Sequence, residues 1–166
     1  MAGRGPHRRT LRRTRPASGV VLLVLLLTLV LGVIGAMAAV DVYATARQRE
    51  LEAELLFVGE QYRQAIRRYY FGAPPGQART LPLSLQDLLE DRRYPKPVRH
   101  LRRMYPDPLT PDGEWALVKQ DNRIAGVHSV SRTQPLKQKG FAATQAAFEG
   151  RSSYADWVFR FQPPGR

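Results

Sequence analysis

Residues 20–71 read VVLLVLLLTLVLGVIGAMAAVDVYATARQRELEAELLFVGEQYRQAIRRYYF. How much of this stretch is helix decides the fold. Its first part, Val20–Val40, holds no charged side chain. A helix of that length reaches about 30 Å, the thickness of the hydrocarbon layer of a bilayer. Thr28 is its only interior hydroxyl and can bond back to its own helix. A domain of this size would struggle to cover such a segment on every side, so a membrane span is favoured over a buried core helix.

The second part continues the helical pattern. No proline occurs between Asp41 and Phe71, and apolar residues recur at Leu51, Leu55, Val58, Tyr62, Ile66 and Tyr69. Intervals of three and four place them on one helix face. Glu52, Glu60, Arg63 and Arg67 are expected on the solvent side. Early acids (Glu50, Glu52, Glu54) and late arginines (Arg63, Arg67, Arg68) suit the helix dipole. Gly59 is a weak helix residue and a candidate for a slight bend. Gly72 and Pro74-Pro75-Gly76 stop the helix. The two parts joined make one helix of about 75–80 Å, whose second half needs a partner for its apolar stripe.

Charge divides the chain the same way. The formal net charge is +12. Residues 1–19 hold six arginines and no acid, residues 20–40 hold no charge, and residues 41–166 hold 20 Lys and Arg against 14 Asp and Glu. The plan is a basic cytoplasmic leader (1–19), an apolar helix (20–40) and an exported domain (41–166). Positive flanks stay in the cytoplasm, which puts the amino terminus inside. There is no cysteine, so there is no disulfide, thiol nucleophile or Cys-based metal site. Gly32 with Ala36, and Gly35 with Ala39, form a small-residue strip suited to close helix packing, although such residues are common in spanning helices. The competing reading is a secretory signal cut after Ala36-Met37-Ala38, with Arg8-Arg9 hinting at a twin-arginine signal. A cut in the middle of a long helix makes less physical sense than a continuous one.

The remainder predicts an α+β domain. Ser84 and Asp87 form a capping box for a short helix with Leu85, Leu88 and Leu89 on its buried face. A second short helix is expected from Pro97 to Met104. Trp115–Lys119 and Ile124–Val130 read as a hairpin turning at Asp121-Asn122, and Trp157–Phe161 as a third strand. Between them, Ser131–Ser153 reads as a polar loop with one helical turn near Ala143–Phe148. The long helix's stripe would cover one face of this antiparallel sheet.

In this order the pieces resemble the type IV pilin-like proteins, in particular the pseudopilins of type II secretion. The resemblance covers nearly the whole chain. It rests on the basic leader, Gly19, the long helix, "PLSLQDLL" at 82–89, the Tyr-Pro-Asp-Pro loop at 105–108 and the "WALVK…IAGVHSVS" hairpin. "ELLFVGEQYRQAIRRYY" at 54–70 is the closest local match. The resemblance implies that a prepilin peptidase cuts between Gly19 and Val20, that the new terminus is methylated, and that apolar half-helices pack with other pseudopilins into a short periplasmic filament. Members have Phe directly after the cut and Glu four residues beyond, where this chain has Val20 and Val24. That departure fits either a filament-tip subunit or an uncut membrane protein. Val24, Gly32, Gly35 and Ala36 are the candidate assembly-helix positions.

No catalytic constellation is visible. His7, His100 and His128 lack metal-ligand spacing, and Ser129 and Ser131 lack a nucleophile elbow. Asp107, Asp112, Glu114 and Asp121 are weak calcium candidates, since some pseudopilins hold calcium in this part of the fold; turn formation is the simpler reading. Arg92, Arg93, Lys96, Arg99, Arg102 and Arg103 lie within twelve residues and form a candidate nucleic-acid or partner patch. A solvated surface meeting acidic neighbours is preferred to nucleic acid. The expectation is a structural, non-enzymatic inner-membrane subunit without a cofactor. The alternatives are a DNA-binding competence pseudopilin, or a cleaved periplasmic enzyme or binding protein.

Overall fold

The computed structural model describes residues 18–164. Residues 1–17 of the basic leader, with His7, lie outside the described residues. The described structure is α+β: one long helix and a three-stranded antiparallel sheet. Helix α1 spans Ser18–Phe71. The chain divides into two compact units, Met1–Ala44 and Thr45–Arg166.

In the first unit, Gly19–Ala36 is long and apolar enough to cross a bilayer, and none of it is buried. Thr28 donates its hydroxyl to Leu25 O at 2.8 Å, so the segment's one hydroxyl is satisfied within the helix.

In the second unit, α1 contributes Leu55, Val58, Tyr62, Ala65, Ile66 and Tyr69 to the core, and Leu51 is half-buried. The helix ends where Gly72 donates its amide to Arg68 O at 2.8 Å. Ser84 then caps a 3₁₀ turn at Leu85–Leu88, and Asp87 closes the reciprocal bond of the capping box.

The sheet is built from β1 (Ala116–Gln120), β2 (Arg123–His128) and β3 (Phe159–Arg160), in the order β1-β2-β3. Asp121 and Asn122 both adopt positive φ, 50° and 60°, as a tight type I′ hairpin turn requires. Ala116 pairs with His128 and Gln120 with Arg123, with a register shift between Val118 and Lys119. Ile124, Ala125, Gly126 and Val127 are all buried, so β2 is covered on both faces. 3₁₀ turns at Ala143–Phe148 and Tyr154–Asp156 surround an aromatic core, in which Phe148 stacks on Trp157 with ring centroids 5.6 Å apart.

The structure corrects three expectations and adds a packing role for Gly59. No helix forms at Pro97–Met104. Leu88 O accepts the amides of both His100 and Leu101 at 2.8 Å, and Asp91 bridges to Val98, which holds this segment as a loop. The third strand is two residues long rather than five, because the amides of Trp157 and Val158 bond back to Tyr154 O and Asp156 O of the preceding 3₁₀ turn. Glu52 is buried rather than solvent-facing. Gly59 supplies room: a Cβ there would lie 2.3–2.4 Å from the ring of buried Phe159. Gly126 does the same from the sheet side, where a Cβ would meet Phe159 O at 2.4 Å.

Gly59→Ala tests this packing because its two effects have opposite signs. Alanine raises helix propensity by about 1 kcal/mol. Overpacking against the Phe159 ring costs about 1–3 kcal/mol, and we expect it to win. Urea unfolding should show net destabilisation, and pairing the change with Phe159→Leu should be markedly less than additive.

Candidate functional site

The processing and assembly positions lie on the exposed start of α1. Val20 and Val24 are 61% and 52% exposed. A Cβ added at Gly19, Gly32 or Gly35 would meet nothing within 4 Å, and Ala36 is exposed. None of Gly19–Ala36 is buried.

Of the six basic residues at 92–103, five are exposed and one is not. Arg93 is drawn inward: its guanidinium pairs with buried Asp91 at 2.7 Å, donates to Tyr69 O at 2.6 Å and lies 3.6 Å over the Tyr69 ring. Arg92 reaches Glu90 at 3.5 Å, and Arg103 lies over Tyr105. Tyr94 donates its hydroxyl to Gly72 O. Lys96, Arg99 and Arg102 are exposed and have no ion-pair partner among the described residues. Arg99 and Arg102 line a shallow open concavity of about 440 Å³ with His100, Leu101 and Arg68, the last from α1.

Asp91 organises the loop behind that concavity. It is fully buried and accepts from the Arg93 side chain, the Arg93 amide and the His100 ring, whose Nε2 lies 3.0 Å from Oδ2. Burial alone pushes this carboxyl up. The bonds from Arg93 and His100 outweigh it and hold Asp91 down at about 2.

A second buried carboxylate, Glu52, is carried by α1 itself. Glu52 Oε1 accepts from the amides of Leu136 and Lys137 and from the Tyr154 hydroxyl at 2.8 Å. Gln48 bridges Tyr154 and Gln134 O. Burial, reinforced by the neighbouring carboxylate, pushes the Tyr154 hydroxyl up to about 12, which keeps it a donor. This cluster did not emerge from the sequence, yet a signal was there. Glu52 precedes Leu55 by three residues and Gly59 by seven, within the frame of the buried face.

The acidic candidates are dispersed in role. Asp107 is buried, accepts from the Leu109 amide at 2.9 Å and opens the turn closed by its own amide bond to Gly113 O. Asp112, Glu114 and Asp121 are exposed. Among the described residues no group of three or more His, Asp or Glu side chains could hold a metal ion. His128 Nδ1 lies 2.9 Å from Ser129 O, and the Ser129 hydroxyl accepts from the Ser131 amide. These three residues order a strand end rather than forming a nucleophile and its base.

Two measurements check the buried carboxylates. Glu52→Ala leaves two amides and a hydroxyl without their acceptor. It should cost about 2–3 kcal/mol in urea unfolding and speed hydrogen exchange at Leu136 and Lys137. Asp91 is held below its unfolded value, so its stabilising contribution is complete above about pH 4 and disappears as pH falls towards 2. Asp91→Asn should flatten that acid limb of the stability–pH curve. No family model matches this chain, and neither a curated protein nor a solved structure is similar to it.

Proposed function

We propose that this chain is a pilin-like, single-pass inner-membrane protein. Its domain after the span is periplasmic, and it serves as a structural subunit or accessory of a type II secretion or type IV pilus-like machine. The observation that carries this reading is α1. One helix begins with an exposed apolar segment of membrane-spanning length and goes on to supply the buried stripe of the sheet domain. A discarded signal peptide has no reason to be continuous with a core element of the mature fold.

The arginines before the span set the orientation, amino terminus inside. Gly19 and Val20 form the junction for a prepilin peptidase, and Val20–Val40 is kept as the anchor and as the contact with other subunits. Val24 stands where the resembling family carries a glutamate, so this subunit brings no carboxylate to a neighbour's terminal amine. That suits a tip or accessory position.

Amino-terminal sequencing of the chain from membranes of cells with and without a prepilin peptidase tests the proposal. The expected result is a membrane-held chain starting at Val20 only when the peptidase is present. A soluble chain starting at Ala39 overturns it.

A further inference from the structure

We propose that Arg68, Arg99 and Arg102 form a binding site for a phosphate-type oxyanion. The inference is independent of the secretion reading. Residues 61–103 carry ten Lys and Arg against three acids. All three acids are already engaged. Asp87 caps the Leu85–Leu88 turn, Glu90 meets Arg92, and Asp91 is buried between Arg93 and His100. Among the described residues, none makes an ion pair with Arg68, Arg99 or Arg102.

The site is held in shape from below. The amides of His100 and Leu101 both bond Leu88 O, and both side chains turn inward, 8% and 3% exposed. Arg99 and Arg102, on either side of that buried pair, are therefore left at the surface. Arg68 is brought to the same hollow by α1, where its guanidinium donates to His100 O at 2.8 Å. Asp91 in turn fixes the His100 ring. A neighbouring hollow of about 430 Å³ shares Arg68 and adds Arg63, Gln64, Arg67 and Phe71.

Three guanidinium groups around one hollow repel each other, and a bound anion relieves that repulsion. Their planar forks match the oxygens of a phosphate, and the two charges of a terminal phosphate suit a trio of cations better than a single carboxylate does. A nucleic-acid strand fits less well. The exposed aromatic beside the neighbouring hollow, Phe71, already meets Arg67, Arg79, Tyr70 and Phe161, so a base would have to compete with these contacts to stack there. The phosphate can come from a soluble ligand or from a phospholipid headgroup.

Calorimetric titration of the full chain in uncharged detergent tests the site, with inorganic phosphate, short-chain phosphatidic acid and short-chain phosphatidylcholine as probes. Saturable one-to-one binding of phosphate or phosphatidic acid, but not of phosphatidylcholine, is expected. Tighter phosphatidic acid assigns the site to a headgroup; equal or tighter phosphate assigns it to a soluble ligand. Arg99→Gln/Arg102→Gln should weaken binding about tenfold or more, while Arg92→Gln/Lys96→Gln, which removes the same charge nearby, should leave it unchanged. If the first pair fails to fold, Arg68→Lys keeps the charge, removes the fork and should show the loss. Absence of saturable binding, equal loss in both pairs, or binding to a DNA oligonucleotide alone overturns the proposal.

Discussion

The ring of Phe159 rests where Gly59 leaves the helix backbone bare, while its own backbone crosses the equally bare Gly126 of β2. This double close approach fixes how near the helix and sheet can come within the domain. The sheet depends on it, since strands of five, six and two residues are too short to stand alone. Each large apolar side chain the helix buries contributes about 1.5–3 kcal/mol, and six of its residues enter the core. The domain is therefore organised around the helix, with the sheet as its cover.

Two buried carboxylates tie the irregular parts to that helix. Glu52 holds the segment around Leu136 and Lys137, and Asp91 holds the loop that carries Arg93 and His100. Burying either without hydrogen-bond donors would be costly. Glu52 has two amides and a hydroxyl. Asp91 has a guanidinium, an amide and an imidazole. The long loops stay ordered because their backbone groups have somewhere specific to bond, a role regular secondary structure would otherwise fill.

What could be read from the sequence follows from which signals are local. The helix, its stop at Gly72, the Ser84–Asp87 capping box and the Asp121-Asn122 turn are all set by neighbours within four residues, and all are present. The failures involve partners far along the chain. Pro97 looks like a helix start, but Leu88 O captures the amides that a helix would have used. Glu52 looks like a solvent residue until Tyr154, about a hundred positions later, meets it. The arginine run reads as one surface, yet buried Asp91 removes Arg93 from it and α1 adds Arg68. The three-arginine hollow was hidden for the same reason: one of its members lies some thirty residues before the others.

The two parts of α1 have different needs. From Leu55 onward the domain supplies the cover itself, down to the glycine that lets a ring close on the backbone. Between Val20 and Ile34 the aliphatic side chains are about half to two-thirds exposed, and the described chain offers nothing to cover them. Burying them elsewhere is strongly favourable, and the segment places few polar obstacles in the way. Its backbone bonds are internal to the helix, Thr28 bonds Leu25 O, and Val24 brings no carboxylate. Such a surface can exchange a lipid environment for other apolar helices with no unpaired polar side chain between Val20 and Ile34 to desolvate. That is the physical property a subunit needs if it is first anchored in a membrane and then assembled.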